Sequence, residues 1–292
     1  MRSAILPTRR ADLRIDLHTH STASDGTTPP ARLMQEAQQA GLDVVALTDH
    51  DTTGGWAEAV DALPVGLSLV RGSEVSCSRD GISLHLLAYL FDPAEPAFAA
   101  ARQQLRDSRV SRAERMVAMM VADGLDVSWE QVQTLAGGTV GRPHVAQALL
   151  AGGYVDSVND AFTPEWLGTH GRYWVGKHEL DVVEAVALVT GAGGVAVFAH
   201  PGATKRGRTV DADVITDLAA AGLAGLEVEH TDHDEDEKAA LRVLAADLGL
   251  FTTGSSDFHG TNKTVQLGEH TTSPDVYDEL VQRATGLPVV TG

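Results

Sequence analysis

Short apolar runs recur along this chain, and almost every one of them ends on a histidine or a carboxylate. IDLHTH, VVALTDHD, GSE, GVAVFAH, GLEVEH and LFTTGSSDFH all follow the pattern. Stretches with helical spacing lie between them, and that alternation is the grammar of a mostly parallel α/β fold. In a parallel α/β barrel the carboxyl ends of the strands share one face, where active sites are assembled. Polar residues far apart in sequence are therefore expected to meet there.

Strands are expected at Leu13–Leu17, Asp43–Thr48, Leu67–Val70 and Ser83–Tyr89. Pro29 and Pro30 open a helix that runs through Gln39, with Gly41 as its stop, and a second helix lies around Gly55–Leu63. The rhythm then changes. Glu95–Ala122 reads as one long helix with Leu105, Val110, Met116, Met119 and Met120 on its apolar side. Shorter helical segments follow around Trp129–Leu135, Pro143–Ala151 and Val158–Phe162. No strand pattern interrupts them, so residues 93–172 read as an α-helical insertion between barrel parts 1–92 and 173–292. Helices at Glu179–Val189, Ala212–Ala221, Asp234–Leu248 and Pro274–Ala284 then alternate with strands at Gly194–Ala199, Gly225–Glu229 and Leu250–Thr253.

Charge narrows the partners. Lys and Arg total 22 against 40 Asp and Glu, a formal charge of −18. Such a surface repels the nucleic-acid backbone, which argues against binding of long duplexes. A small phosphorylated substrate remains compatible, because bound divalent cations reverse the local field. No stretch approaches the roughly 20 apolar residues needed to span a bilayer, and the N-terminus carries no run expected of a signal peptide. Cys77 is the single cysteine, which excludes an internal disulfide and a thiolate metal site. A cytoplasmic setting is the expectation, and nothing in the sequence points to a protein partner.

In an extended segment His18 and His20 point to the same side, so both imidazoles can reach one metal. Asp257 and His259 repeat that spacing in a loop. Asp25, His50, Glu74, His200 and His230 stand at or near the other strand ends, and His85 lies within the fourth strand. Imidazole and carboxylate donors without thiolate suit Mn²⁺, Fe²⁺ or Zn²⁺. A carboxylate such as Glu74 can bridge two cations. Two or three cations can bind phosphate oxygens, lower the pKa of a bridging water and stabilise a leaving oxygen, which suits phosphate-ester hydrolysis.

The segments DLHTHS, TDHD, GSE, HLLAY, AHPG and SSDFH resemble, in order, the motifs of the polymerase-and-histidinol-phosphatase (PHP) domain family, from about Asp16 to His259. The chain looks most like the stand-alone phosphoesterases with a helical insertion after the fourth strand. Some of these remove the 3′-phosphate from nucleoside 3′,5′-bisphosphates, and relatives trim short RNA from its 5′ end. The resemblance implies a distorted (β/α)7 barrel holding two or three divalent ions. Carried over by motif, His18, His20, Glu74 and Asp257 hold the first, and Glu74, His85 and His200 the second. Asp25, His50 and His259 hold the third, with Asp25 standing where some relatives carry histidine. Asp49 and Asp51 are expected to orient imidazoles, with capping of the next helix the alternative for Asp51.

Substrate contacts are expected from Arg142 and His144 in the GRPH segment, where arginine can grip phosphate at a helix start, and from Lys177. His230 is expected to contact substrate or assist the leaving group. Arg102, Arg106, Arg109, Arg112 and Arg115 read as mostly solvated and paired with carboxylates, with direct contact to a phosphate the alternative. The reaction these readings imply is attack of a metal-bridging hydroxide on a nucleoside 3′,5′-bisphosphate. Arg142 would stabilise the negative charge, and His230 or a bound water would protonate the leaving alcohol. Rival readings are a 5′-to-3′ exonuclease on short 5′-phosphorylated RNA, a histidinol-phosphate phosphatase, and a non-catalytic metal-binding regulatory domain.

Overall fold

A computed structural model describes residues 12–292 of the chain; the expectation about a signal peptide concerns residues mostly outside that range. The first half of the barrel comprises β1 (Ile15–Asp16), α1 (Pro30–Gln39), β2 (Val44–Leu47), α2 (Trp56–Asp61), β3 (Ser68–Arg79) and β4 (Ile82–Tyr89). Three helices follow: α3 (Pro96–Ala122), α4 (Trp129–Ala136) and α5 (Arg142–Ala151). After a 3-10 turn at Asn159–Phe162 come β5 (Leu180–Asp181), α6 (Val182–Gly191), β6 (Val195–Phe198) and α7 (Ala212–Ala220). The chain ends with β7 (Gly225–Glu229), α8 (Glu235–Leu248), β8 (Phe251–Gly254), α9 (Pro274–Arg283) and β9 (Val290–Thr291).

Seven strands run in the order β1-β2-β3-β4-β6-β7-β8. A parallel bridge between Thr19 and Phe258 brings the end of β8 back beside that of β1, so the sheet curls into a distorted seven-stranded barrel. β5 and β9 pair with β3 off this path; neither was expected from the sequence, because two residues carry no periodicity. Alternate strand positions face opposite ways. Ile15, Leu17, Val44, Ala46, Leu87, Val195 and Val197 pack together and against Leu280 of α9. Their neighbours Val45, Leu47, Leu86, Ala196 and Leu226 pack against α1, α6, α7 and α8.

The expectation of a mostly parallel sheet needs one correction. β4 runs antiparallel to both β3 and β6. The reason is local: Asp80 and Gly81 both adopt positive φ, 52° and 73°, the conformation of a tight two-residue hairpin, for which Asp-Gly is a preferred sequence. β3 is also longer than expected. Its first residues pair with β2 and the rest with β4, and Gly72 marks the junction. A side chain there would meet the carbonyl oxygen of Ala88 at 2.9 Å and the Thr48 methyl at 3.0 Å, so only glycine lets the strands close in. Glu74 thus lies within a strand rather than after one.

α3 belongs to two cores. Phe98, Ala101 and Leu105 in its first half join the barrel's helix layer. Ala113, Met116, Val117 and Met120 in its second half pack with Val132, Val145, Leu149 and Tyr173. The helical segment therefore has its own apolar centre and is bound to the barrel through one continuous helix.

Candidate metal centre

Backbone pairing brings the strand ends into register. Thr19 bridges Phe258 and His50 bridges Glu74, both parallel, so His18, His20, His50, Glu74, Asp257 and His259 converge on one end of the barrel. Because β4 runs in reverse, His85 in its first half reaches the same end. Three residues here hold left-handed backbone without being glycine: Asp51 at φ 57°, His200 at 32° and Asp257 at 54°. Such strain persists where surrounding structure over-determines a site.

Glu74 lies at the centre. Its Oε2 is 3.2 Å from His18 Nε2, 3.0 Å from His20 Nε2 and 3.2 Å from His50 Nδ1. Its Oε1 is 2.7 Å from His85 Nδ1 and 3.1 Å from His200 Nε2. Asp257 Oδ1 approaches His18 and His20 Nε2 at 3.4 and 3.5 Å. Asp25 Oδ1 is 3.4 Å from His259 Nε2, and its Oδ2 is 3.6 Å from His50 Nε2. These donors form overlapping buried groups: His18, His20, Glu74 and Asp257; His20, Asp25, His50 and His259; and His50, Glu74 and His85. His50 thus stands between two groups, where the motif reading placed it in one, and His20 joins the Asp25 group.

The donor set fits metal ions. Two neutral imidazole nitrogens cannot hydrogen-bond each other unless one carries a proton, yet His18 and His20 Nε2 face one another at 3.0 Å. Donor separations of 3.0–3.5 Å match ligands about 2.0–2.2 Å from a shared cation. His50 Nδ1, His85 Nδ1 and Asp257 Oδ1 are buried without a hydrogen-bond partner, and a buried polar atom left unpaired is costly. Burial holds His200 down to about 3 and His259 to about 4, so both are neutral imidazoles, the ligating form. Cys77 is buried, and burial raises its thiol pKa; it packs as a small hydrophobe.

The groups around the donors differ from expectation. Asp49 does not orient an imidazole: it accepts from the Ser21 amide at 2.8 Å, the Ser21 hydroxyl at 2.7 Å and the Ser24 hydroxyl at 2.6 Å, fixing the loop between His20 and Asp25. Asp51 neither orients an imidazole nor caps α2. It accepts from the Ser76 amide and hydroxyl and from Arg109 Nε at 2.6 Å. Burial opposes its ionisation, but Arg109 holds its carboxyl at about 2.

The orienting carboxylate is Glu227, which sequence reasoning missed. His18 Nδ1 donates to its Oε1 at 2.9 Å, which leaves Nε2 free as a ligand atom, and the His200 amide donates to its Oε2 at 2.9 Å. Burial opposes ionisation of Glu227 too, but His18 holds it at about 2. The available signal was its position: Glu227 lies mid-strand in GLEVE between core residues Leu226 and Val228. Arg206 and Lys263 were also missed. Each donates to Asp257 Oδ2, Arg206 at 2.7 Å, and both are partly exposed at the rim.

His230 is buried beside Asp257. Its Nδ1 accepts from the Asp232 amide at 3.0 Å, so the ring proton sits on Nε2, 3.4 Å from Asp257 Oδ2. His233 is spent on the fold, donating to the Val228 carbonyl and accepting from the Gly202 amide. His144 is spent as well: its Nδ1 accepts from the Gly141 amide at 2.9 Å, and the ring also bonds the Ser24 backbone. It ties the start of α5 to the Asp25 loop instead of being left open for a ligand. Arg142 Nη1 donates to the Leu167 carbonyl at 3.3 Å, with its guanidinium over Phe162. Lys177 pairs with Glu179 at 2.7 Å.

The arginines of α3 correct the expectation of solvated charges. Arg102, Arg109 and Arg112 are buried. Arg102 lies over Phe91 and Phe98, and Arg109 joins Asp51 and Ser76.

The PHP domain matches residues 16–127. A 3′,5′-nucleoside bisphosphate phosphatase of Chromobacterium violaceum is 36% identical over 84% of this chain and 87% of its own length. A 5′-3′ exoribonuclease of Haemophilus influenzae is 31% identical over 92% of this chain and 97% of its own. Among solved structures, a proposed metal-dependent phosphoesterase from Bifidobacterium adolescentis superposes with a TM-score of 0.88 at 35% identity, covering 94% of this chain and 97% of that one.

Proposed function

The chain belongs to the PHP domain family and is a metal-dependent phosphoesterase, and from that premise we propose that it removes the 3′-phosphate from nucleoside 3′,5′-bisphosphates, leaving the 5′-monophosphate. The observation that carries this reading is the convergence of buried imidazole and carboxylate donors on Glu74. The likeness to the Chromobacterium phosphatase supports the substrate.

In this reading two or three divalent ions, Mn²⁺, Fe²⁺ or Zn²⁺, are held by His18, His20, Glu74 and Asp257, by Glu74, His85 and His200, and by Asp25, His50 and His259. Bound there, such ions supply Lewis-acid charge to phosphate oxygens and lower the pKa of water. The chain's own residues do the rest. Glu227 fixes the His18 ring and the turn at His200. His230, with its proton on Nε2, is placed to donate to the leaving alcohol oxygen. His85, with a quarter of its side chain exposed, marks where substrate enters. Residues 93–172 act as a cap domain over the barrel formed by 1–92 and 173–292, presenting Arg142 to substrate beside Lys177, which lies where the chain returns to the barrel. Among the described residues no helix is long and apolar enough to cross a membrane, and we place the enzyme in the cytoplasm.

The Haemophilus relative favours a second reading, a 5′-to-3′ exonuclease on short RNA. One assay separates them. Mn²⁺-loaded protein should release phosphate from adenosine 3′,5′-bisphosphate, and both a chelator and Asp257→Ala should abolish the release. Shortening of a 5′-phosphorylated RNA oligomer, with no phosphate released from the bisphosphate, would assign the exonuclease reaction instead.

A further inference from the structure

Arg112 is 6% exposed, and its Nε meets no acceptor. Among the described residues its guanidinium makes no ion pair. A buried charge without a partner is strongly disfavoured, and here the surroundings add to the cost. Burial pushes the Arg112 pKa well below its ordinary value, and Arg109 and Arg142 push it further. The same burial lowers Arg142 and brings Lys177 to about 8, with Arg109 and Arg112 contributing.

Geometry brings these cations together. Arg109 and Arg112 lie one turn apart on α3. The segment carrying Lys177 runs alongside that helix, because Arg115 Nη2 donates to the Gly176 carbonyl at 3.0 Å and the His178 amide donates to the Ser108 hydroxyl. Arg142 opens α5, which packs on α3. The carboxylates ion-paired within the group are Asp51, taken by Arg109, and Glu179, taken by Lys177, while Asp25 and Glu74 of the metal donor set act on Arg109 alone. Among the described residues neither Arg112 nor Arg142 has a carboxylate paired to it, and Arg142 donates only to the Leu167 carbonyl, so two guanidiniums are left to face a phosphate dianion. Arg109 also ties the group to the metal centre: it bonds Asp51, next to His50, and Ser76, which pairs with His85 across β3 and β4.

We infer that Arg112, Arg142 and Lys177 form an anion pocket for the substrate phosphate that is not cleaved, the 5′-phosphate of a nucleoside 3′,5′-bisphosphate. The inference rests on the reading that the metal donors take the 3′-phosphate. A substrate with two phosphates needs two charge-matched sites, and this is the buried cation surplus adjoining the metal donors. Two guanidiniums offer forked donors to phosphate oxygens, and the ammonium adds a point charge.

The test separates the pocket from the catalytic reading. Metal-stripped full-length protein is titrated calorimetrically with adenosine 5′-monophosphate and with adenosine, in wild type, Arg112→Met and Lys177→Met. The pocket predicts that the wild type binds the monophosphate and that each substitution weakens this roughly tenfold or more, the scale of one charge-assisted contact. Any binding of adenosine should stay unchanged. Ligand-free Arg112→Met should melt no lower than wild type, because an unpartnered buried charge has been removed. Unchanged affinity for the monophosphate in Arg112→Met would overturn the pocket. So would a lower melting temperature accompanied by loss of every ligand, which marks a structural arginine. No monophosphate binding by the wild type would overturn it too, whether or not the Mn²⁺-loaded enzyme hydrolyses the bisphosphate.

Discussion

The strand-end face of the barrel and the buried face of α3 are both crowded with charge, but with opposite sign. At the barrel end Glu74, Glu227, Asp25 and Asp257 crowd among imidazoles, several of which burial keeps neutral. Along α3 and its neighbours, Arg109, Arg112, Arg142 and Lys177 outnumber their carboxylates. Neither surplus is stable alone in a protein interior. Each is explained by what it receives: cations at the barrel end, a phosphate along the helix. Folding alone accounts for one of the ionic contacts on α3, the Arg109–Asp51–Ser76 network, in which every partner is satisfied.

Glu74→Ala strikes the negative region hardest, because this carboxylate is shared between donor groups. Metal content measured by atomic absorption should fall by more than one ion per chain, and turnover should drop by at least about 10³-fold. Retained metal would detach Glu74 from the centre. Arg109→Met next tests the balanced part of the positive region. It leaves a buried Asp51 unpaired, so denaturant titration should show a loss of about 3–5 kcal/mol, whereas Arg112→Met should lose nothing. Equal losses in the two variants would erase the distinction between paired and unpaired arginines.

Glu227→Gln sharpens the barrel side. The side chain can still accept from His18 Nδ1–H, but its charge is gone and its amide nitrogen cannot accept from the His200 amide, so metal affinity or activity should fall by about 10–100-fold; no change would make Glu227 a passive core residue. The smallest effect is a pH dependence on the helix side. In free protein Lys177 loses its charge above about 8. A ligand that needs the charged form must then bind against deprotonation, so affinity for adenosine 5′-monophosphate should decline as pH rises through that value. The same titration of Lys177→Met should lack the decline, and a matching decline there would move the titration to another group.

Much of the barrel was legible because strand ends carry their chemistry in sequence. HTH, TDHD and SSDFH each sit at a boundary where an apolar run stops, and Gly225–Glu229 was readable residue for residue. What stayed hidden was relational. An apolar run has no direction, so the reversal of β4 was visible only through the Asp80–Gly81 hairpin. Glu227 is one carboxylate in a strand, and only the folded sheet places it against His18. The α3 arginines look alike along the chain. That Arg109 has a partner and Arg112 has none depends on Asp51, Ser76 and Glu179, which arrive from other elements.

The most direct test follows both phosphates at once. Mn²⁺-loaded protein is given adenosine 3′,5′-bisphosphate, and the products are resolved by ³¹P NMR. The account predicts inorganic phosphate and adenosine 5′-monophosphate, with the 5′-phosphate retained throughout. Formation of adenosine 3′-monophosphate, or no phosphate release from metal-loaded protein, would contradict it.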